Sequence, residues 1–206
     1  MTITASTSTP RPLRTLRWRV VDIVVAAVLG VAVGLVFWGW DNLYEIPTTP
    51  LGALLPGMQA LLYGVWLLGG VLGALVIRKP GAAVFVEVVA ASVSALLGTR
   101  WGFLTLEAGL VQGLAVEIVF AILLYRVWTW WAAVLAGAAA GVAGGINDLI
   151  LWYPGSDVTF STIYIVSFAI SGAVLAGVGG WLLTRALAAT GALDRFASGR
   201  DRRELV

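Results

Sequence analysis

Six long apolar runs occupy most of the chain, at residues 20–40, 57–77, 82–97, 103–125, 128–151 and 159–187. A helix needs about 20 apolar residues to cross the hydrocarbon core of a bilayer, and all but the third run reach that length. None shows the apolar–polar alternation of a barrel strand, and an isolated span must satisfy its own backbone, so each run is predicted to be an α-helix. Breakers mark the joints: Pro47, Pro50 and Pro56 after the first run, Lys79-Pro80-Gly81 after the second, Pro154-Gly155 after the fifth. The first run has the Arg-rich flank of a secretory signal, but its length and the lack of a small-residue cleavage site mark it as a retained helix.

Charge orients the bundle. Of the thirteen basic residues, twelve fall before the first run, after the second, after the fourth, and within the last turn of the sixth or beyond it, and only Arg100 lies on the other side. By the positive-inside rule both termini are cytoplasmic. The expectation is an all-α integral membrane protein, a six-transmembrane-helix bundle over residues 18–187. A disordered cytoplasmic tail (1–17) precedes it and a cytoplasmic tail (188–206) follows. Acidic residues Asp41, Glu45, Asp148 and Asp157 gather toward the outer end.

Composition supports the assignment and removes alternatives. Of the 206 residues 60% are hydrophobic and 12% charged, with 25 Gly besides, more apolar surface than a water-soluble fold of this size can bury. The net charge of +2 is confined to the flanks of spans and gives no nucleic-acid surface. With neither Cys nor His, thiolate nucleophiles, imidazole bases and the commonest metal ligands are absent, and no cofactor or metal is expected.

Polar and small residues inside the runs are the candidates for function. In the first run Asp22, Ala26, Gly30, Gly34 and Trp38 recur every four residues, a row that lets a second helix approach closely. That row serves either internal packing or docking of another membrane subunit. Three carboxylates, Glu87, Glu107 and Glu117, lie within spans, where burial in lipid costs about 2.5–3.5 kcal/mol, so each must face protein or water. Glu87 shares a small, weakly polar stripe with Ala83, Ala90, Ala91 and Ser94; Thr105, Gly109, Gln112 and Val116 share one face of the fourth run, with Glu117 at its edge. Each Glu is either an interhelical brace or part of a site. Trp38, Trp40, Trp101, Trp152 and Tyr153 cluster at outer ends, as belt anchors or as the wall of a receptor for a flat organic cation, and Tyr63, Trp66 and Tyr164 can line the same space.

Two stretches carry a resemblance. Gln59-Ala60-Leu61-Leu62-Tyr63-Gly64-Val65-Trp66, followed by Ile77-Arg78-Lys79-Pro80-Gly81-Ala82-Ala83 and Glu87, resembles the YkoE-type family. So does Gly109-Leu110-Val111-Gln112-Gly113-Leu114-Ala115-Val116-Glu117-Ile118-Val119-Phe120 with Tyr125-Arg126. That family comprises substrate-binding S components of energy-coupling factor (ECF) transporters for thiamin or its hydroxymethylpyrimidine precursor. The resemblance implies capture of the vitamin from outside, and delivery through a transmembrane coupling subunit powered by ATPase subunits. It also implies docking through small residues of the first helix, here Ala26, Gly30 and Gly34, and a gate formed by residues 41–56.

Thiamin presents a cationic thiazolium and an aminopyrimidine rich in donors and acceptors. Glu87, Gln112 and Glu117 are expected to supply polar recognition; Trp66, Trp38 and Tyr63 to stack against or wall the rings; Asn147 and Asp148 to lie near the mouth. The competing readings are an S component for another small aromatic vitamin, a membrane-embedded enzyme, which the missing nucleophiles and bases disfavour, and a proton-coupled carrier using the intramembrane Glu residues.

Overall fold

The computed structural model describes residues 16–193 together with 196, 198 and 199. Among them the regular structure is entirely helical: α1 (Val20–Leu43), α2 (Glu45–Leu54), a 3-10 segment (Met58–Leu67) running straight into α3 (Leu68–Ile77), α4 (Ala82–Leu96), α5 (Leu104–Ile122), α6 (Trp130–Leu151), α7 (Val158–Ser171), a π segment (Gly172–Val178) and α8 (Gly179–Ala189). Five continuous helical stretches of the described residues are long and apolar enough to cross a membrane, the last being Val158–Ala189. The third predicted span, α4, has 15 residues. At 1.5 Å per residue it is about 22 Å long, short of the roughly 30 Å hydrocarbon core.

The 3-10 segment and α3 form the most buried span, touching α1, α4, α5, α6, α7 and the π segment. Neighbours in the surrounding ring follow chain order: α1 packs on α4, α4 on α5, α5 on α6, and α6 on α7 and the π segment. Small residues set these distances. A Cβ added at Gly137 would lie 2.1 Å from the Gly172 carbonyl oxygen, and one at Gly141 2.3 Å from that of Phe168, so α6 meets the last span backbone to backbone.

The same principle corrects the expected docking row. Ala26 is fully buried beside Val76, Ala82 and Val86. A Cβ on Gly30 would come within 2.6 Å of Val89, and one on Gly34 within 2.6 Å of Val93. The small face of α1 is therefore occupied by α4 of the same chain and offers nothing to a separate subunit. Small residues permit close approach by any helix, and the nearest one has taken the place.

Both described ends of the chain meet at one end of the bundle. Trp18, Leu193 and Phe196 pack with Val76, Ile77 and Ala82, the Trp18 indole donates to the Pro80 carbonyl (2.8 Å), and the Ser198 hydroxyl donates to that of Val76 (3.1 Å). The described part of the expected C-terminal tail is thus folded against the bundle, and α8 itself runs to Ala189. The expected N-terminal tail lies, but for residues 16 and 17, outside the described residues. Asp22, fully buried at this end, is bridged to Arg19 and to Lys79, which ties α1 to the α3–α4 turn.

An aromatic-walled cavity with unpaired polar groups

At the opposite end the helices splay around a cavity of about 280 Å3. The 3-10 geometry of residues 58–67 matters here: at three residues per turn, positions three apart eclipse, so Tyr63 and Trp66 project together into the cavity. Their rings lie 5.1 Å apart, nearly edge to face. Tyr44 and Trp101 stand 5.2 and 5.4 Å from Trp66 on one side, and Tyr164 and Phe168 stand 6.0 and 5.6 Å from Tyr63 on the other. The result is a box of ring edges and faces suited to a flat, electron-poor ligand.

Polar groups sit at the base and the rim. Glu87, one turn into α4 and 1% exposed, reaches the start of α3, where Gly69 and Gly70 leave room for it. At the 3-10-to-α junction the Leu68 amide donates to the Val65 carbonyl, and the Gly70 amide donates to Glu87 Oε2. Glu87 Oε1 is buried and has no hydrogen-bond partner. Gln112, two turns into α5 and 8% exposed, lines the same base. Thr105, on the same α5 face, also lines the cavity, and its hydroxyl is buried and unpaired. At the rim Asp41 accepts from the Trp66 indole (2.7 Å) and from the Ser94 hydroxyl, and Asp148 Oδ2 accepts from the Tyr164 hydroxyl (2.7 Å).

Of the residues expected at the site, the structure brings together Glu87, Gln112, Trp66, Tyr63 and Asp148. Three lie elsewhere. Glu117 accepts from the amides of Gly81 (2.6 Å) and Ala83 (3.0 Å) and from the Tyr125 hydroxyl (2.6 Å); it caps the N-terminus of α4 at the far end of the bundle. Its place at the edge of the Gln112 face points it toward α4 rather than into the cavity. Trp38 is 41% exposed on the outside of α1, because the buried face of that helix runs through Val33, Phe37 and Asp41. Asn147 donates to Glu107 (3.0 Å) beside the cavity rather than in its wall. The anticipated gate at residues 41–56 consists of the last turn of α1 and α2, and Glu45 at its start pairs with Arg100.

Asp41, expected only among the outer acidic residues and the gate, and Tyr44 join the site because α1 continues three residues past the apolar run to Leu43, carrying Asp41 one turn beyond Phe37 onto the cavity face. The i+4 sequence Val33, Phe37, Asp41 was the available signal.

The model of a family described as "ABC-type cobalt transport system, permease component" matches residues 21–143. The chain is 34% identical over 89% of its length to YkoE of Bacillus subtilis (strain 168), a protein named for HMP/thiamine permeation, and covers 92% of it. Its fold matches a crystal structure of an S-component of an ECF transporter with a TM-score of 0.84 and 32% identity, over 91% of this chain and 94% of that one. The chain belongs to the YkoE family of ECF S components. It is a multi-pass membrane transport subunit and not an enzyme, the substrate-binding part of an assembly whose coupling and ATPase subunits are separate. The cobalt in the family description finds no counterpart in the donor set: the sequence has no His or Cys, and no three acidic residues among those described converge to hold a metal.

Proposed function

We propose that this S component captures hydroxymethylpyrimidine or thiamin from outside a prokaryotic cell and passes it to an ATP-driven coupling subunit. One observation carries the reading. At the base of an aromatic box, the Glu87 carboxylate keeps an oxygen without a partner, beside the Gln112 amide. A buried acceptor left open costs on the order of 1–3 kcal/mol or more, and a ligand N–H removes that cost. An aminopyrimidine fits: its exocyclic amine donates to Glu87, and its ring nitrogens accept from Gln112. Trp66 and Tyr63 flank the ring, and the acidic rim of Asp41 and Asp148 favours the thiazolium of the intact vitamin. The cavity volume, at the lower end of the usual range for small-molecule sites, suits a one- or two-ring ligand. YkoE's name points to the same ligands.

The orientation follows from charge. The end that holds the described termini also holds Arg19, Arg78, Lys79 and Arg126, so that end is cytoplasmic, the cavity opens outward, and α4 completes six crossings. Its short length is tolerated because its flanks are covered by α1 and α5.

The test is a tryptophan-fluorescence titration of the purified protein with hydroxymethylpyrimidine and thiamin. Both are expected to change the emission of Trp66 and Trp101 saturably, and Glu87→Gln and Gln112→Ala to weaken the response. Unchanged affinity in both variants would falsify the assignment.

A further inference from the structure

Among the described residues the cavity is lined by three acidic side chains, Asp41, Glu87 and Asp148, and by no Lys or Arg. Arg100, at its mouth, is bound to Glu45 and lies 5.4 and 5.7 Å from the ring centroids of Tyr44 and Trp101. Backbone amides supply no anion site in its place. Although α5 begins at the cavity, the amides of Leu104, Thr105 and Leu106 donate to the carbonyls of Trp101, Gly102 and Phe103 at 3.0–3.3 Å. The start of α7 is capped by Asp157, which accepts from Thr159 (2.8 Å) and Phe160 (3.0 Å). A helix N-terminus attracts anions only through free amides, and these are taken.

We infer that the cavity admits uncharged and cationic ligands and rejects their phosphate monoesters, with Asp148 as the specificity-determining residue. A phosphate monoester carries about −1.5 to −2 charges and three oxygens that need donors. Here it meets carboxylates and ring edges. Asp41 has both oxygens taken by Trp66 and Ser94, and Glu87 lies at the base. Asp148 has only Oδ2 paired, to Tyr164, and is the acid placed to face a group at the outer end of a bound ligand. The inference rests on the ligand reading above and narrows it. Its consequence is a place in a reaction sequence: an esterified vitamin enters only after phosphomonoester hydrolysis. In that reaction water attacks phosphorus, the P–O bond to the ligand breaks, and the free alcohol and inorganic phosphate are released.

Isothermal titration of the full-length protein in detergent with hydroxymethylpyrimidine, thiamin and the monophosphate of each tests this. Both parents are expected to bind, each monophosphate at least about a hundredfold more weakly, and Asp148→Asn to narrow that ratio about tenfold. A monophosphate binding within threefold of its parent would overturn the inference, most directly if Arg100→Gln then abolished that binding. An unchanged ratio in a folded Asp148→Asn protein would remove Asp148 as the determinant, while the wild-type ratios decide the selectivity by themselves. Failure of both parents to bind is a separate pattern, which overturns the ligand reading and this inference with it.

Discussion

Glu87 divides its two oxygens between two tasks. One oxygen is bonded to the Gly70 amide and holds α3 against α4; the other is buried without a partner, on a residue that lines the cavity. Glu87→Gln keeps an oxygen for Gly70 and puts an amide donor where the second oxygen accepts, so the fold is expected to survive while the ligand proposed above binds more weakly. A buried group left without its hydrogen-bond partner costs about 1–3 kcal/mol, which is roughly a 5- to 150-fold loss of affinity, measurable by titration. Gly30 and Gly34 act oppositely. With Cβ positions 2.6 Å from Val89 and Val93, Gly30→Leu or Gly34→Leu is expected to force α1 from α4 and to lower the thermal midpoint of the isolated subunit. A midpoint equal to wild type would return this face to the role of an external docking surface.

Among the elements, α4 depends most on its neighbours, being short and begun at a glycine with φ of 83°. Of its first amides, that of Ala82 donates to the Lys79 carbonyl (3.2 Å), while those of Gly81 and Ala83 donate to Glu117 of α5. The turn after α5 is shaped for this: Leu124 and Tyr125 hold left-handed conformations, φ 52° and 53°, which fold the Tyr125 ring back to donate to Glu117. Glu117→Ala is expected to cost about 0.5–2 kcal/mol in an unfolding measurement, as loss of an N-cap does, and to lower stability more than ligand affinity. Burial, and next the Glu117 carboxylate, push the Tyr125 hydroxyl well above the usual phenol range. The folded state therefore resists ionisation that the unfolded chain undergoes near pH 10, so this contribution is complete below about pH 10 and fades above it. Tyr125→Phe is expected to blunt the alkaline fall in the thermal midpoint; an identical fall would show that Tyr125 takes no part in it.

For the whole molecule, a tight ring of helices closes one end, where both described termini meet, and splays at the other around the aromatic cavity. The sequence lacks Cys, so single-cysteine labelling reads the orientation directly. Gly155→Cys, on the turn between α6 and α7, is expected to react with an impermeant maleimide added to intact cells, and Ala192→Cys, beyond α8, only after permeabilisation. The reverse pattern would invert the assigned topology.

Apolar runs and breakers were enough to place the helices to within a few residues, five of the described stretches being long and apolar enough to cross a membrane, because a lipid environment imposes length and backbone satisfaction on each span separately. Glu87 and Gln112 were visible for the same reason: a polar side chain in an apolar span has to be explained locally. What lay beyond sequence was which neighbour each face meets. The small stripe of α1 reads alike whether α4 or a foreign helix fills it, the Glu117 carboxylate reads alike as ligand contact or helix cap, and Asp41 reads as a loop residue until α1 is seen to run on beneath it. Those choices belong to packing between segments distant in the chain. Only the tertiary arrangement brings α4 against α1 and α5, leaving an oxygen of Glu87 buried and unpaired at a cavity walled by aromatic side chains.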